Sequence, residues 1–142
     1  MNSEKIVYVD SSVFIGILCH EPGSSVSEKA LTAADKIVSS ILTEAEVYSV
    51  AVRERLDWGI VSSIYSGVSL IFPDRSLENE LTRVLSCGYV RGADAFHLAC
   101  ALYLDPCAKE IIFLTADRAQ AACARTLGFR IRLPEFHPNK RS

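Results

Sequence analysis

Short apolar runs and stretches of helical periodicity alternate along this chain. Ile6-Val7-Tyr8-Val9 is a β-rich run ending at Asp10, and Ser11-Ser12 opens a helix through about Cys19. Glu21-Pro22-Gly23 breaks the pattern, after which Ser24 or Ser25 can cap a helix to about Asp35. Ile37-Val38-Ser39-Ser40 predicts a second strand. Leu42 to about Leu56 predicts a helix, with a shorter one after Asp57. Val68 to Phe72 reads as a third strand, stopped by Pro73-Asp74, and Ser76 to Ser86 as a helix. Gly88 and Gly92 flank a turn before the long apolar helix Ala93 to Leu104, which Pro106 ends. Ile111 to Thr115 predicts a fourth strand. A helix from Asp117 or Arg118 to Leu127 follows, with Gly128 placed to terminate it. Phe129 to Leu133 is the final strand.

Strands alternating with helices imply right-handed βαβ units and an α/β fold: a parallel sheet of four to five strands, covered on both faces. Near-continuous apolar strands suit double coverage. The last run alternates Arg130 and Arg132 with apolar residues, which suits an edge. In such sheets a ligand site lies beyond the carboxyl ends of the strands.

Composition narrows the class. A chain of 142 residues with 49% hydrophobic content fits one globular domain with a single sizeable core. A short basic tail, including Lys140 and Arg141, is expected from about residue 134. The net charge is −2, but residues 109–142 carry 7 Lys and Arg against 3 Asp and Glu, whereas residues 1–108 carry 8 against 14. That asymmetry fits either a polyanionic partner or an ordinary solvated surface. The five cysteines form no CxxC pair, which argues against a disulfide framework or a thiolate zinc site and fits a reducing cytoplasm. The first residues lead straight into a strand-like run, so no signal peptide is expected. No apolar stretch reaches the roughly 18 residues needed to span a bilayer, so a cytoplasmic protein without membrane contact is expected.

Acidic residues carry the chemistry. Asp10 follows the first strand and Asp117 the fourth, which would set both at one edge of the sheet. Asp is also a good helix N-cap, and each precedes a helix; Ser11 or Ser12 could cap the first instead. Asp94 and His97 are the strongly polar residues of an otherwise apolar helix, three apart and on one side. A carboxylate at the start of a buried helix needs a cap role, a cation or a metal. Glu44 and Glu46 both lie after the second strand. A helical wheel puts the apolar arc near Leu42, Ala45, Tyr48 and Val52 and does not select either glutamate. If these acids converge, they repel by about 4 kcal/mol per pair at about 4 Å and an effective dielectric of about 20. They would then protonate or take up cations, and an oxygen-only set favours Mg²⁺ or Mn²⁺ over zinc. Two other acid-edge phosphate enzymes fit poorly. A haloacid-dehalogenase-like phosphatase wants an Asp where Ser12 stands, and a receiver domain wants a Lys that Thr115-Ala116-Asp117-Arg118 lacks.

Four segments together resemble a PIN domain of the VapC toxin type. They are Val7-Tyr8-Val9-Asp10-Ser11-Ser12-Val13-Phe14-Ile15; Ser39 to Val47; Arg91-Gly92-Ala93-Asp94-Ala95-Phe96-His97-Leu98-Ala99; and Phe113 to Arg118, followed by Ala124 and Leu127-Gly128. The family's glutamate precedes a hydrophobic residue, which matches Glu46-Val47 better than Glu44-Ala45. The resemblance implies a three-layer α/β/α sandwich and metal-dependent hydrolysis of RNA phosphodiester bonds with Mg²⁺ or Mn²⁺. It implies Asp10, Glu46, Asp94 and Asp117 as metal-binding acids, supported by Ser12, Thr115 and His97, with Arg118 at the RNA backbone. It also implies a cognate antitoxin and a homodimer. The alternative is a non-catalytic PIN-like module that binds RNA or protein.

Overall fold

The computed structural model describes residues 4–134. The basic end expected beyond about residue 134, with Lys140 and Arg141, lies outside the described residues.

The elements follow the order β1 (Ile6–Val9), α1 (Ser11–Leu18), α2 (Ser24–Ala33), β2 (Lys36–Ser40), α3 (Leu42–Arg53), α4 (Trp58–Ile64), β3 (Val68–Ile71), α5 (Glu78–Ser86), α6 (Gly92–Leu104), β4 (Ile111–Leu114), α7 (Arg118–Leu127) and β5 (Arg130–Arg132). The five strands form one sheet in the order β3-β2-β1-β4-β5. Every pairing is parallel, with Val7 opposite Ile37 on one side and Ile112 on the other. β5 is an edge strand, as its alternating arginines predict.

Strand alternation sorts the core into two layers. Val7, Val9, Ile112 and Leu114 face α1, α3 and α4 through Val13, Phe14, Val47, Ala51 and Val61. Tyr8, Val38, Ile71, Ile111 and Phe113 face α5, α6 and α7 through Val84, Leu98, Leu102 and Ala124. The result is a three-layer α/β/α sandwich. α6 is apolar nearly all round because it is the central helix of its layer, and His97 to Leu102 are all buried. Chain progression reverses between β1 and β4, and at such a switch point the flanking loops diverge and leave a crevice at the carboxyl edge.

Several elements stop short of the apolar pattern. α2 ends at Ala33 because Asp35 already serves the entry to β2: its backbone N–H donates to Lys5 O at 2.8 Å, and its carboxylate accepts from Lys5 N–H at 2.6 Å. α3 ends at Arg53 because Arg55 turns the chain at φ 56. Phe72 is apolar yet exposed, just beyond the last paired residue of β3.

Candidate active site

Asp10 is the N-cap of α1. Its Oδ2 accepts from the Ser12 backbone N–H at 3.1 Å and from Ser12 Oγ–H at 2.5 Å. The residue is only 2% exposed, and its Oδ1 lies 3.6 Å from His97 Nε2. The capping role is therefore taken by Asp10 itself, with its other oxygen turned toward His97; Ser11 and Ser12 do not cap α1 in its place.

Glu46 reaches the same point from α3. The inward face of α3 is Thr43, Val47 and Ala51, not the arc of Leu42, Ala45, Tyr48 and Val52 that apolarity indicated. Val52 is 60% exposed. The wheel failed because a hydroxyl anchors the helix: Thr43 Oγ1 bonds Ser39 Oγ at 2.6 Å, and Ser39 Oγ donates to Val9 O at 2.6 Å. With Thr43 turned inward, Glu46 falls at the rim of that face while Glu44 is exposed.

His97 joins the two acids. Its ring is fully buried, with Nε2 at 2.8 Å from Glu46 Oε1 and Nδ1 at 2.7 Å from Tyr8 Oη. Carboxylates only accept, so the network assigns the proton to Nε2 and leaves Nδ1 to accept from the Tyr8 hydroxyl. Tyr8 keeps that proton. Burial pushes its phenol well above the ordinary range, and the nearby Cys100, Asp10 and Glu46 add to the shift. Burial also pushes the Glu46 carboxyl up, but the hydrogen bond from His97, with one from Ser11, outweighs it and holds the group below its ordinary value.

Asp94 sits in the first turn of α6 but is not its cap, a position Arg91 takes. Burial raises its carboxyl above the ordinary value, and the charges of Asp10 and Asp117 raise it further, against Arg91. Arg91 Nε stands 3.9 Å from Asp94 Oδ2. Asp117 caps α7 by accepting from Gln120 N–H at 2.8 Å, and its own N–H donates to Thr115 Oγ1 at 3.0 Å. Arg118 follows as the exposed first residue of α7.

The structure therefore brings Asp10 and Glu46 together through His97, and leaves Asp94 within electrostatic reach of Asp10 and Asp117. Two participants were not expected from the sequence. Tyr8 was hidden in an apolar strand, although a buried phenol demands a hydrogen-bond partner. Gln120 is fully buried and shares the inward face of α7 with Cys123 and Ala124; a lone amide at that spacing was the available signal.

Among the described residues no group of three or more His, Cys, Asp or Glu side chains is placed to hold a metal ion. The chemistry of the acids nonetheless suits a hard divalent cation: four carboxylate side chains, one of them raised by burial and then by two acidic neighbours.

Fold and site together define a doubly wound α/β domain with acidic residues at the carboxyl edge of its sheet, beside the topological switch point. The chain belongs to the PIN domain family, whose model matches residues 7–131. Two solved structures share the fold. VapBC-1 from nontypeable Haemophilus influenzae matches at TM-score 0.65 and 14% identity, over 90% of this chain and 97% of that one. VapBC2 from Rickettsia felis, bound to a DNA fragment from its promoter, matches at 0.66 and 13%, over 90% and 98%. No curated protein sequence matches significantly.

Proposed function

We propose that this chain is a VapC-type toxin, a metal-dependent endoribonuclease that hydrolyses RNA phosphodiester bonds and is restrained by a cognate antitoxin. The observation that carries the reading is the placement of Asp10, Glu46, Asp94 and Asp117 at one sheet edge, where Asp94 is raised first by burial and then by the charges of Asp10 and Asp117. Family membership supports it, and the fold neighbours are toxin–antitoxin complexes by name.

In this reading the four acids hold Mg²⁺ or Mn²⁺. A divalent ion there supplies Lewis acidity, acidifying water and offsetting charge on the phosphate and leaving oxygen. The protein's own part is positional. Ser12 fixes Asp10 from two directions, and Thr115 anchors the turn that presents Asp117. His97 orients Glu46 and is not the base, because its remaining lone pair is turned toward the buried Tyr8 hydroxyl. Arg118 and Arg91 flank the crevice and suit contacts to the RNA backbone. A homodimer is part of the same reading, and the exposed Val52, Trp58 and Ile60 offer an apolar surface for one; sedimentation tests it.

The decisive experiment incubates antitoxin-free protein with Mg²⁺ or Mn²⁺ and a panel of structured RNAs. Metal-dependent cleavage that disappears in Asp10→Asn and Asp94→Asn is expected; cleavage surviving unchanged in both would sink the proposal. The absence of such a metal-holding group among the described residues favours one rival, a PIN-like module that binds RNA or protein without catalysis. Calorimetric titration with Mn²⁺ separates the two, since that rival needs no metal at the acids.

A further inference from the structure

Gln120 is the only glutamine in the chain, and its side chain is entirely buried at the point where three segments of the site meet. Its Oε1 accepts from Thr115 Oγ1–H at 2.7 Å, at the end of β4. Its Nε2 donates to Asp10 Oδ1 at 3.3 Å, at the end of β1, and to the Asp94 carbonyl at 3.2 Å, in the first turn of α6. These three bonds fix the amide's orientation. Turned over, the oxygen would face a carboxylate and a carbonyl, both acceptors, and the NH₂ would face a hydroxyl already receiving the Asp117 N–H.

From this geometry we infer that Gln120 is a positioning residue that sets the spacing of Asp10 and Asp94 for metal binding. The inference rests on the metal-dependent reading of the site. The residue suits the task because it is neutral. It gives both hydrogens to acceptors flanking the crevice without adding a cation that would compete with a metal ion, or a fifth carboxylate that would deepen the repulsion. A leucine at this place could pack but would take a donor away from Asp10 Oδ1 and break the link to the Asp94 backbone. Groups that orient metal ligands in this way typically change metal affinity or activity by about 10- to 100-fold when removed.

The test is calorimetric titration with Mn²⁺ on the full chain, comparing wild type, Gln120→Met and Val84→Ala. Methionine keeps the length of the side chain and removes all three bonds. Val84 is a fully buried core residue of α5, so its truncation reports lost stability alone. We expect Gln120→Met to weaken Mn²⁺ binding about tenfold, with Val84→Ala at wild-type affinity despite its lower Tm. Equal affinity in wild type and Gln120→Met overturns the inference, as does equal weakening in Val84→Ala. A wild type that binds no Mn²⁺ overturns the metal reading and the inference with it. A second measurement needs no variant: the Gln120 side-chain amide should shift in NMR spectra on Mg²⁺ titration, saturating together with the Asp10 backbone amide. An Asp10 shift without a Gln120 shift overturns the inference alone.

Discussion

Two buried aspartates stand at opposite ends of β4, and they are satisfied in opposite ways. Asp105, 7% exposed, closes the turn before the strand: its oxygens accept from the backbone N–H groups of Lys109, Glu110 and Ile111 at 3.2, 2.8 and 3.0 Å. Asp10 pairs its own N–H with Leu114 O at the other end, but its carboxylate relies mostly on the side chains of Ser12 and Gln120 and faces His97. Backbone donors are fixed by the fold, so Asp105 is a latch with nothing left to offer. Side-chain donors can yield, and other acids stand within reach of Asp10. Burial of a carboxylate therefore does not mark a site; the kind of donor holding it, and the charges around it, do.

The sharpest way to break that contrast is to neutralise each acid. Asp10→Asn should lower RNA cleavage by about 10³-fold, equivalent to about 4 kcal/mol of transition-state stabilisation at about 1.4 kcal/mol per decade. The amide oxygen can still cap α1, so its Tm should move by less than half the shift seen in Asp105→Ala. Asp105→Ala should do the reverse. It takes the acceptor from three backbone N–H groups, one of them on the buried Ile111, a loss of about 2 kcal/mol and about 7 °C in Tm. Its cleavage rate per folded molecule should stay within about twofold of wild type. Single-turnover cleavage and thermal melts on the same preparations decide the matter, and a dead but folded Asp105→Ala would erase the distinction between latch and site.

How much of this was legible in the sequence follows the same division between backbone and side chain. β1, β4 and α6 stood out because continuous apolarity is what doubly covered strands and a central helix require. The carboxyl-edge positions of Asp10 and Asp117 followed from the order of elements alone. What spacing could not give was the rotation of α3. That depends on a hydroxyl pair, Ser39 with Thr43, which an apolar wheel counts as outward-facing. The selection of Glu46 over Glu44 therefore came from resemblance; the geometry sets Glu46 against His97 and leaves Glu44 exposed. Tyr8 and Gln120 were missed for a related reason. Each sits at an apolar position and becomes informative only once its partner, from a segment 89 or 110 residues away, is in place.

Within the acid cluster the comparison can be sharpened further, because Asp94 and Glu46 carry opposite shifts. Asp94 is raised above its ordinary 3.8, first by burial and then by Asp10 and Asp117, so its charge opposes folding at neutral pH. Asp94→Asn should remove that penalty and raise the Tm of the metal-free protein by about 1–3 °C at pH 7 while weakening Mn²⁺ binding. A lower Tm would mean that Asp94 is held as Asp105 is, by its donors.

The smallest effect is the most diagnostic of sign. Glu46 is held below its ordinary 4.5 despite burial, because His97 and Ser11 favour its charged form. Its contribution to stability is thus present above about pH 4.5 and fades as the pH falls through the folded-state value. Glu46→Gln should cost about 1 °C in Tm at pH 7, a modest figure because the side chain is 26% exposed. That deficit should shrink below about pH 4.5. The advantage of Asp94→Asn should shrink too, as wild-type Asp94 takes up its proton on the way down to about pH 3.8. Melts of the three metal-free proteins from pH 7 to pH 3 should therefore converge from opposite sides. Curves that approach wild type from the same side would mean that the two acids do not share one electrostatic field, and the cluster would reduce to separate carboxylates at a common edge.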